Sequence, residues 1–114
     1  MGKNILFLCS EGMQRSPTAA KLFQSSKKYN ADYAGLNLSL AKKPVTKTQI
    51  IKSDIIILMD QKNDKHKTTL LKLFPEITTK KQIIILDIPD IYIKGETELI
   101  NILKSKLISS GITP

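Results

Sequence analysis

Three short runs of uninterrupted apolar residues frame this chain: Ile5-Leu6-Phe7-Leu8, Ile55-Ile56-Ile57-Leu58-Met59 and Ile83-Ile84-Ile85-Leu86. Each has strand length, and none has a helical period. A strand without polar alternation has both faces covered, as parallel strands do when helices pack on each side. Between the runs, apolar residues recur among lysines over lengths that suit helices. The expected order is strand 4–8, helix 17–28, a short strand near 31–35, helix 46–52, strand 55–59, helix 63–74 ended by Pro75, strand 82–86 and helix 96–109. Strands alternating with helices predict a doubly wound α/β domain.

The arrangement expected of such a domain is a flavodoxin-like, four-stranded parallel sheet of order 2-1-3-4, with ligands at the carboxyl ends of the strands. Cys9 and Asp87 both fall at such ends. A length of 114 residues suits one domain spanning 1–114, with enough apolar content for a single core. The first apolar run is too short for a signal peptide, and no stretch approaches a membrane span. The formal net charge is +8. Its lysines are spread along the chain, and pairs such as Lys27-Lys28, Lys42-Lys43 and Lys80-Lys81 read as solvated helix ends and loops. No basic stripe is interleaved with aromatics in the manner of single-strand binders. The charge therefore reads mainly as solvation, with a modest attraction for anionic substrates; no nucleic-acid or membrane partner is expected. One cysteine permits no internal disulfide, so a cytoplasmic location is expected.

That cysteine, Cys9, lies six residues before Arg15, the only arginine. Elsewhere the chain uses lysine for positive charge. Lysine supplies a point charge, whereas arginine supplies a planar fork that grips two oxygens of an oxyanion. Gly12 breaks the chain after the first strand. Ser16-Pro17 read as a helix start, with serine as N-cap and proline in the first turn. The unit is strand, tight loop, helix, with loop amides and the helix N-terminus turned toward negative charge. The same field favours the thiolate of Cys9. A lone cysteine is more often a small buried hydrophobe. Its combination with Gly12, Arg15, Ser16 and Pro17 at a strand–helix junction favours a nucleophile. His66, the only histidine, lies in the polar stretch Asp64-Lys65-His66-Lys67 and reads as a helix-surface residue without a role. No cluster has metal-ligand spacing.

The segment Cys9 to Ala19, CSEGMQRSPTA, resembles the phosphate loop of the low-molecular-weight protein tyrosine phosphatases, nearest to their short bacterial members. The resemblance continues through Ala34-Gly35-Leu36, the strand Ile55 to Met59, and Leu86-Asp87-Ile88-Pro89-Asp90-Ile91-Tyr92. It implies a phosphatase that hydrolyses phosphate monoesters through a phosphocysteine, with phosphotyrosine as the default substrate and no cofactor or metal. Its partners would be a phosphorylated protein or a small phosphate ester, with phosphate as product or inhibitor. Cys9 would be the nucleophile. Arg15 and the amides of Ser10, Glu11, Gly12, Met13, Gln14 and Arg15 would hold the phosphoryl oxygens. Ser16 would hydrogen-bond the thiolate, unless it serves only as an N-cap.

The family takes its general acid from an Asp-Pro-aromatic loop. Here the loop offers Asp90, two residues before Tyr92, and Asp87 as the alternative acid at the strand end. Asp90 is favoured for its reach. Tyr92 reads either as a cleft wall for an aryl ring or as a partly buried loop tyrosine. Two positions depart from the family pattern: Gly12 stands where many members carry asparagine, and Glu11 where they carry glycine. A carboxylate at Glu11 should repel a dianion unless it turns away or pairs with a lysine.

Two other functions use related features. LCSEGM also resembles the phosphocysteine loop of enzyme IIB components of the sugar phosphotransferase system, which are phosphocarriers. A non-catalytic phospho-ligand binder would keep the loop without turnover. Arg15, the Ser-Pro-Thr-Ala continuation and the acidic loop favour the phosphatase. An arsenate reductase of the thioredoxin-linked type would need further cysteines.

Overall fold

The computed structural model describes residues 2–78 and 80–114. The elements run in the order β1 (Lys3–Cys9), α1 (Arg15–Leu22), β2 (Tyr29–Gly35), α2 (Lys47–Lys52), β3 (Ile55–Leu58), α3 (His66–Leu73), α4 (Pro75–Thr78), β4 (Gln82–Ile85) and α5 (Thr97–Ser109). The four strands form one sheet in the order β2-β1-β3-β4. All pairings are parallel. This is the expected flavodoxin-like arrangement.

The continuous apolar runs divide between two cores by strand alternation. Ile5, Phe7 and Cys9 face one side with Ile55 and Ile57, packing against Ala19 and Phe23 of the α1 region and against Leu99, Leu103 and Leu107 of α5. Leu6 and Leu8 face the other side with Ile56 and Leu58, against Ile50 of α2 and Leu70 of α3. The i, i+4 spacing of Leu99, Leu103 and Leu107 gives α5 one buried stripe. Burying such leucines contributes about 1.5–3 kcal/mol each.

Helix limits differ from the expected ones, each for a local reason. α1 begins at Arg15 and ends at Leu22. Gln14 is its N-cap residue without a side-chain cap bond, and Pro17 is the third helical residue, still within the turn where its missing N–H costs nothing. α3 starts at His66 rather than 63, because the preceding segment folds around Asp60, whose carboxylate accepts the N–H groups of Asn63 and Asp64 at 2.9 Å. Pro75 does not merely end a helix; it opens the short α4. α2 carries a full capping box between Thr46 and Gln49. Lys81 is more than a solvated loop lysine: its Nζ donates to the carbonyls of Ile51 and Ser53 at the end of α2.

At the carboxyl edge of the sheet the register brings Cys9 beside Gly35. Chain crosses closely here. Gly12 has φ +69°, the left-handed region that glycine tolerates. A Cβ on Gly35 would lie 2.6 Å from the Glu11 carbonyl carbon and 2.8 Å from the Gly12 nitrogen. A Cβ on Gly12 would lie 2.9 Å from the Gly35 nitrogen, so asparagine does not fit there without a backbone shift. The phosphate-type loop thus rests on bare backbone of β2. Gly35→Ala is expected to lower the unfolding free energy by about 1–3 kcal/mol, as for an overpacked site, read as a lower urea midpoint, and to displace the loop. An unchanged midpoint would mean that the loop yields without cost.

Candidate active site

Cys9 ends β1 at the base of a cleft of about 330 Å³, lined also by Ser10, Glu11, Met13, Gln14, Arg15, Asp90, Ile91 and Tyr92. Eight of the side chains singled out from the sequence therefore share one cavity wall: Cys9, Ser10, Glu11, Met13, Gln14, Arg15, Asp90 and Tyr92. Gly12 is buried beneath it against Gly35. Ser16 is buried behind the sulfur. Cys9 Sγ accepts the Gly12 N–H at 3.2 Å and lies 3.0 Å from Ser16 Oγ. Both are hydrogen-bond contacts to the sulfur. Of the two readings of Ser16, thiol partner or helix cap, the structure has its hydroxyl against the sulfur and 3.4 Å from the Ala34 carbonyl, while Gln14 is the N-cap residue.

Arg15 is only 1% exposed, and three segments converge on it. Its Nη1 donates to the Ile88 carbonyl at 2.8 Å and lies 2.9 Å from Asp64 Oδ2. Its Nε is 3.7 Å from Asp90 Oδ1. The Nε–H nevertheless has no hydrogen-bond partner, although it is buried. A buried donor left unmade costs about 1–3 kcal/mol, and Asp64 Oδ2 beside Nη1 is likewise buried without a hydrogen bond.

The segment carrying Asp90 is tied to the phosphate-type loop by backbone. Lys94 N–H donates to Gln14 Oε1 at 2.6 Å, and Gly95 N–H to Thr18 Oγ1 at 3.0 Å. Ile88 N–H donates to Met59 O at 2.7 Å. Asp90 is half exposed at the rim. Asp87 is exposed with φ +56° and does not line the cleft. Asparagine and aspartate tolerate that backbone better than most residues. Tyr92 is half-buried and lines the cleft while packing against the core beneath. Glu11 lines the cleft without an ion-pair partner among the described residues, so its charge stands at the mouth.

His66 is the main departure from the sequence reading. It is 2% exposed rather than on a helix surface. The Asp60 N–H donates to its Nδ1 at 3.0 Å, and its Nε2 lies 3.0 Å from Ser10 Oγ. An Nδ1 that accepts carries no proton, so the neutral ring holds its hydrogen on Nε2 and donates it to Ser10. The Ser10 hydroxyl then keeps its own hydrogen to donate into the cleft. Burial first, then the Arg15 charge, push the His66 pKa down from 6.5 to about 4. Burial raises the pKa of neighbouring Asp60, but the amides of Asp64 and Asn63 outweigh it and hold the carboxyl below its ordinary value.

Sequence reading missed His66, Asp60, Asp64 and the Ile88 carbonyl. A signal was present: Asp60 directly follows an apolar parallel strand, at the end where ligand sites form. Among the described residues no group of three or more His, Cys, Asp and Glu is placed to hold a metal ion. No helix among them is long and apolar enough to cross a membrane.

Because His66 is neutral when folded and titrates near 6.5 when unfolded, the unfolded chain binds more protons between those values. Its contribution to stability is present above pH 6.5 and is lost as pH falls toward 4. Urea midpoints measured from pH 7.5 to 4.5 should fall more steeply for the natural chain than for His66→Gln. Parallel curves would overturn the neutral-histidine assignment.

No protein-family model matches the chain, and no curated protein matches it. Solved structures do. The YwlE arginine phosphatase from Geobacillus stearothermophilus aligns with 95% of this chain and 92% of its own, at 19% identity and a TM-score of 0.66. A YwlE mutant from Bacillus subtilis aligns with 96% of this chain and 98% of its own, at 18% identity and 0.66. Wzb from Vibrio vulnificus, solved in complex with benzylphosphonate, aligns with 96% of this chain and 97% of its own, at 16% identity and 0.71. At these identities the likeness is one of fold.

Proposed function

We propose that this chain is a cysteine-dependent phosphatase of the low-molecular-weight tyrosine phosphatase type, hydrolysing aryl phosphate monoesters, with phosphotyrosine in proteins as the natural class. The observation that carries the reading is the pairing, in one cleft, of a thiol sulfur that accepts the Gly12 N–H with a buried Arg15 whose Nε–H makes no hydrogen bond. The fold likeness to the YwlE arginine phosphatase, to a YwlE mutant and to Wzb with benzylphosphonate supports it. The cleft walls Met13, Ile91 and Tyr92 offer an apolar surface to an aryl ring.

The chemistry runs in two displacements. The Cys9 thiolate attacks phosphorus, forming the S–P bond as the bond from phosphorus to the leaving oxygen breaks. Asp90, protonated, gives that oxygen its hydrogen. Arg15 Nε–H, the Ser10 hydroxyl and the loop amides hold the nonbridging oxygens as charge redistributes, the electrostatic contribution that is usually largest. In the second step Asp90, now a carboxylate, takes a proton from water as the water oxygen attacks phosphorus. The S–P bond breaks, and the returning thiolate is received by Ser16 Oγ–H and Gly12 N–H. Asp64 does not touch substrate in this scheme; it holds Arg15 in place.

Turnover of p-nitrophenyl phosphate should be abolished in Cys9→Ser. General acid catalysis is worth about 10²–10⁴-fold where the leaving oxygen needs a proton. Asp90→Asn should therefore slow phenyl phosphate far more than p-nitrophenyl phosphate, and Asp87→Asn should leave their ratio unchanged. The reverse pattern would move the acid to Asp87. No leaving-group dependence in either variant would favour the phosphocarrier or binder.

One observation favours a second substrate. Glu11, a carboxylate at the cleft mouth without an ion-pair partner among the described residues, opposes a phosphate dianion but would attract the guanidinium of phosphoarginine. Comparing kcat/KM for phosphotyrosyl and phosphoarginyl peptides separates the two. With phosphotyrosine as substrate, Glu11→Gln should raise kcat/KM a few-fold at low salt; with phosphoarginine it should lower it.

A further inference from the structure

A second depression of about 320 Å³ runs beside the catalytic cleft, walled by Tyr33, Lys42, Lys43 and Lys94. Met13 and Gln14 form the ridge between the two, lining both. Its walls are tied to the fold by hydrogen bonds on two sides. The Lys94 N–H donates to Gln14 Oε1 at 2.6 Å. The Lys43 carbonyl accepts the Gly35 N–H at 2.9 Å, directly behind the phosphate-type loop.

The lysines are not equivalent. Lys43 Nζ lies 4.2 Å over the Tyr33 ring and pairs with Asp32 Oδ1 at 2.6 Å, so its charge is already answered. Burial raises the Asp32 pKa, but its bonds to Lys43 and Gln49 outweigh this and keep the carboxyl ionised in that pair. Lys42 and Lys94 are exposed and have no ion-pair partner among the described residues. No acidic side chain lines the depression. Glu11, the acid of the loop, lies on the catalytic side of the ridge. The two depressions therefore differ in sign of charge outside the phosphate site, with a net +8 on the chain as a whole.

From this asymmetry we infer that the lysine-walled depression is a specificity subsite for carboxylates of the substrate: the preferred substrate is a phosphotyrosyl segment with Asp or Glu within a few residues of the phosphorylated one. The inference rests on the phosphatase reading. An extended peptide advances about 3.3–3.6 Å per residue, so a flanking side chain reaches a neighbouring depression while the phosphate stays in the loop. The contact is remote from the reacting atoms and equal in ground and transition states. It acts on KM and leaves kcat unchanged.

The test compares two phosphotyrosyl peptides, identical except that the flanking residues are Glu in one and Gln in the other, with p-nitrophenyl phosphate as a substrate lacking flanks. The Glu peptide should show a kcat/KM higher by roughly three- to tenfold at low salt, the scale of one or two exposed charge pairs, carried by KM and shrinking as salt rises. Lys42→Gln with Lys94→Gln should remove the difference while p-nitrophenyl phosphate turnover stays unchanged. Equal kcat/KM for both peptides, or a preference that survives the double substitution, overturns the subsite. If the chain turns over no phosphate ester, the phosphatase reading fails separately. Peptide affinity of Cys9→Ser, read by fluorescence anisotropy, then decides the subsite by the same Glu-to-Gln ratio with and without the two lysines.

Discussion

Arg15 brings a full charge to a position that is 1% exposed, and the carboxyl edge of the sheet is organised around it. Moving an unpaired ion inside a protein costs several kcal/mol even after relaxation. Here the charge is met by the Ile88 carbonyl from beyond β4 and by Asp64 from beyond β3, while the residue itself opens α1. One guanidinium thus joins three loops that are far apart in sequence. Any rearrangement of one loop leaves the charge less well answered, so the three hold each other in place.

The same bond network divides the labour among nitrogen atoms. Nη1 is occupied by protein acceptors, which fixes the plane of the fork. Nε is buried without a hydrogen bond, 3.7 Å from Asp90 Oδ1. A fork held at one end and open at the other keeps its geometry when an oxyanion enters, so little reorganisation accompanies binding. Lysine has no second donor position on a rigid plane and could not split its role this way. This explains why a chain rich in lysine carries arginine at this one position.

His66 serves the same edge by a different route. Its ring lies between the Asp60 amide and the Ser10 hydroxyl, so the loop after β3 supports the loop after β1. Neutrality matters here: a second cation close to Arg15 would oppose it, and a ring protonated on Nδ1 could not accept the Asp60 N–H. The bare-backbone contact of Gly12 with Gly35 completes the support from the β2 side. Loops from β1, β2, β3 and β4 all meet beneath a single cleft.

The apolar runs at 5–8, 55–59 and 83–86 were enough to assign parallel strands, because a strand buried on both faces has no polar positions to alternate. The strand–loop–helix unit with Cys9 and Arg15 was equally legible, since its chemistry is contiguous in sequence and needs no distant partner to be recognised. Helix ends were less so. The start of α1 at Arg15 and the late start of α3 follow from loop bonds that propensity does not encode. The burial of His66 is hidden for the same reason: its neighbours Asp64, Lys65 and Lys67 are polar, and only the turn around Asp60 carries the ring inward. Asp64, the Ile88 carbonyl and the rim position of Asp90 acquire meaning only when β1, β3 and β4 lie side by side. Local sequence determines which atoms can react; the pairing of distant strands decides which of them share a cleft, because parallel register sets every loop at one edge of the sheet.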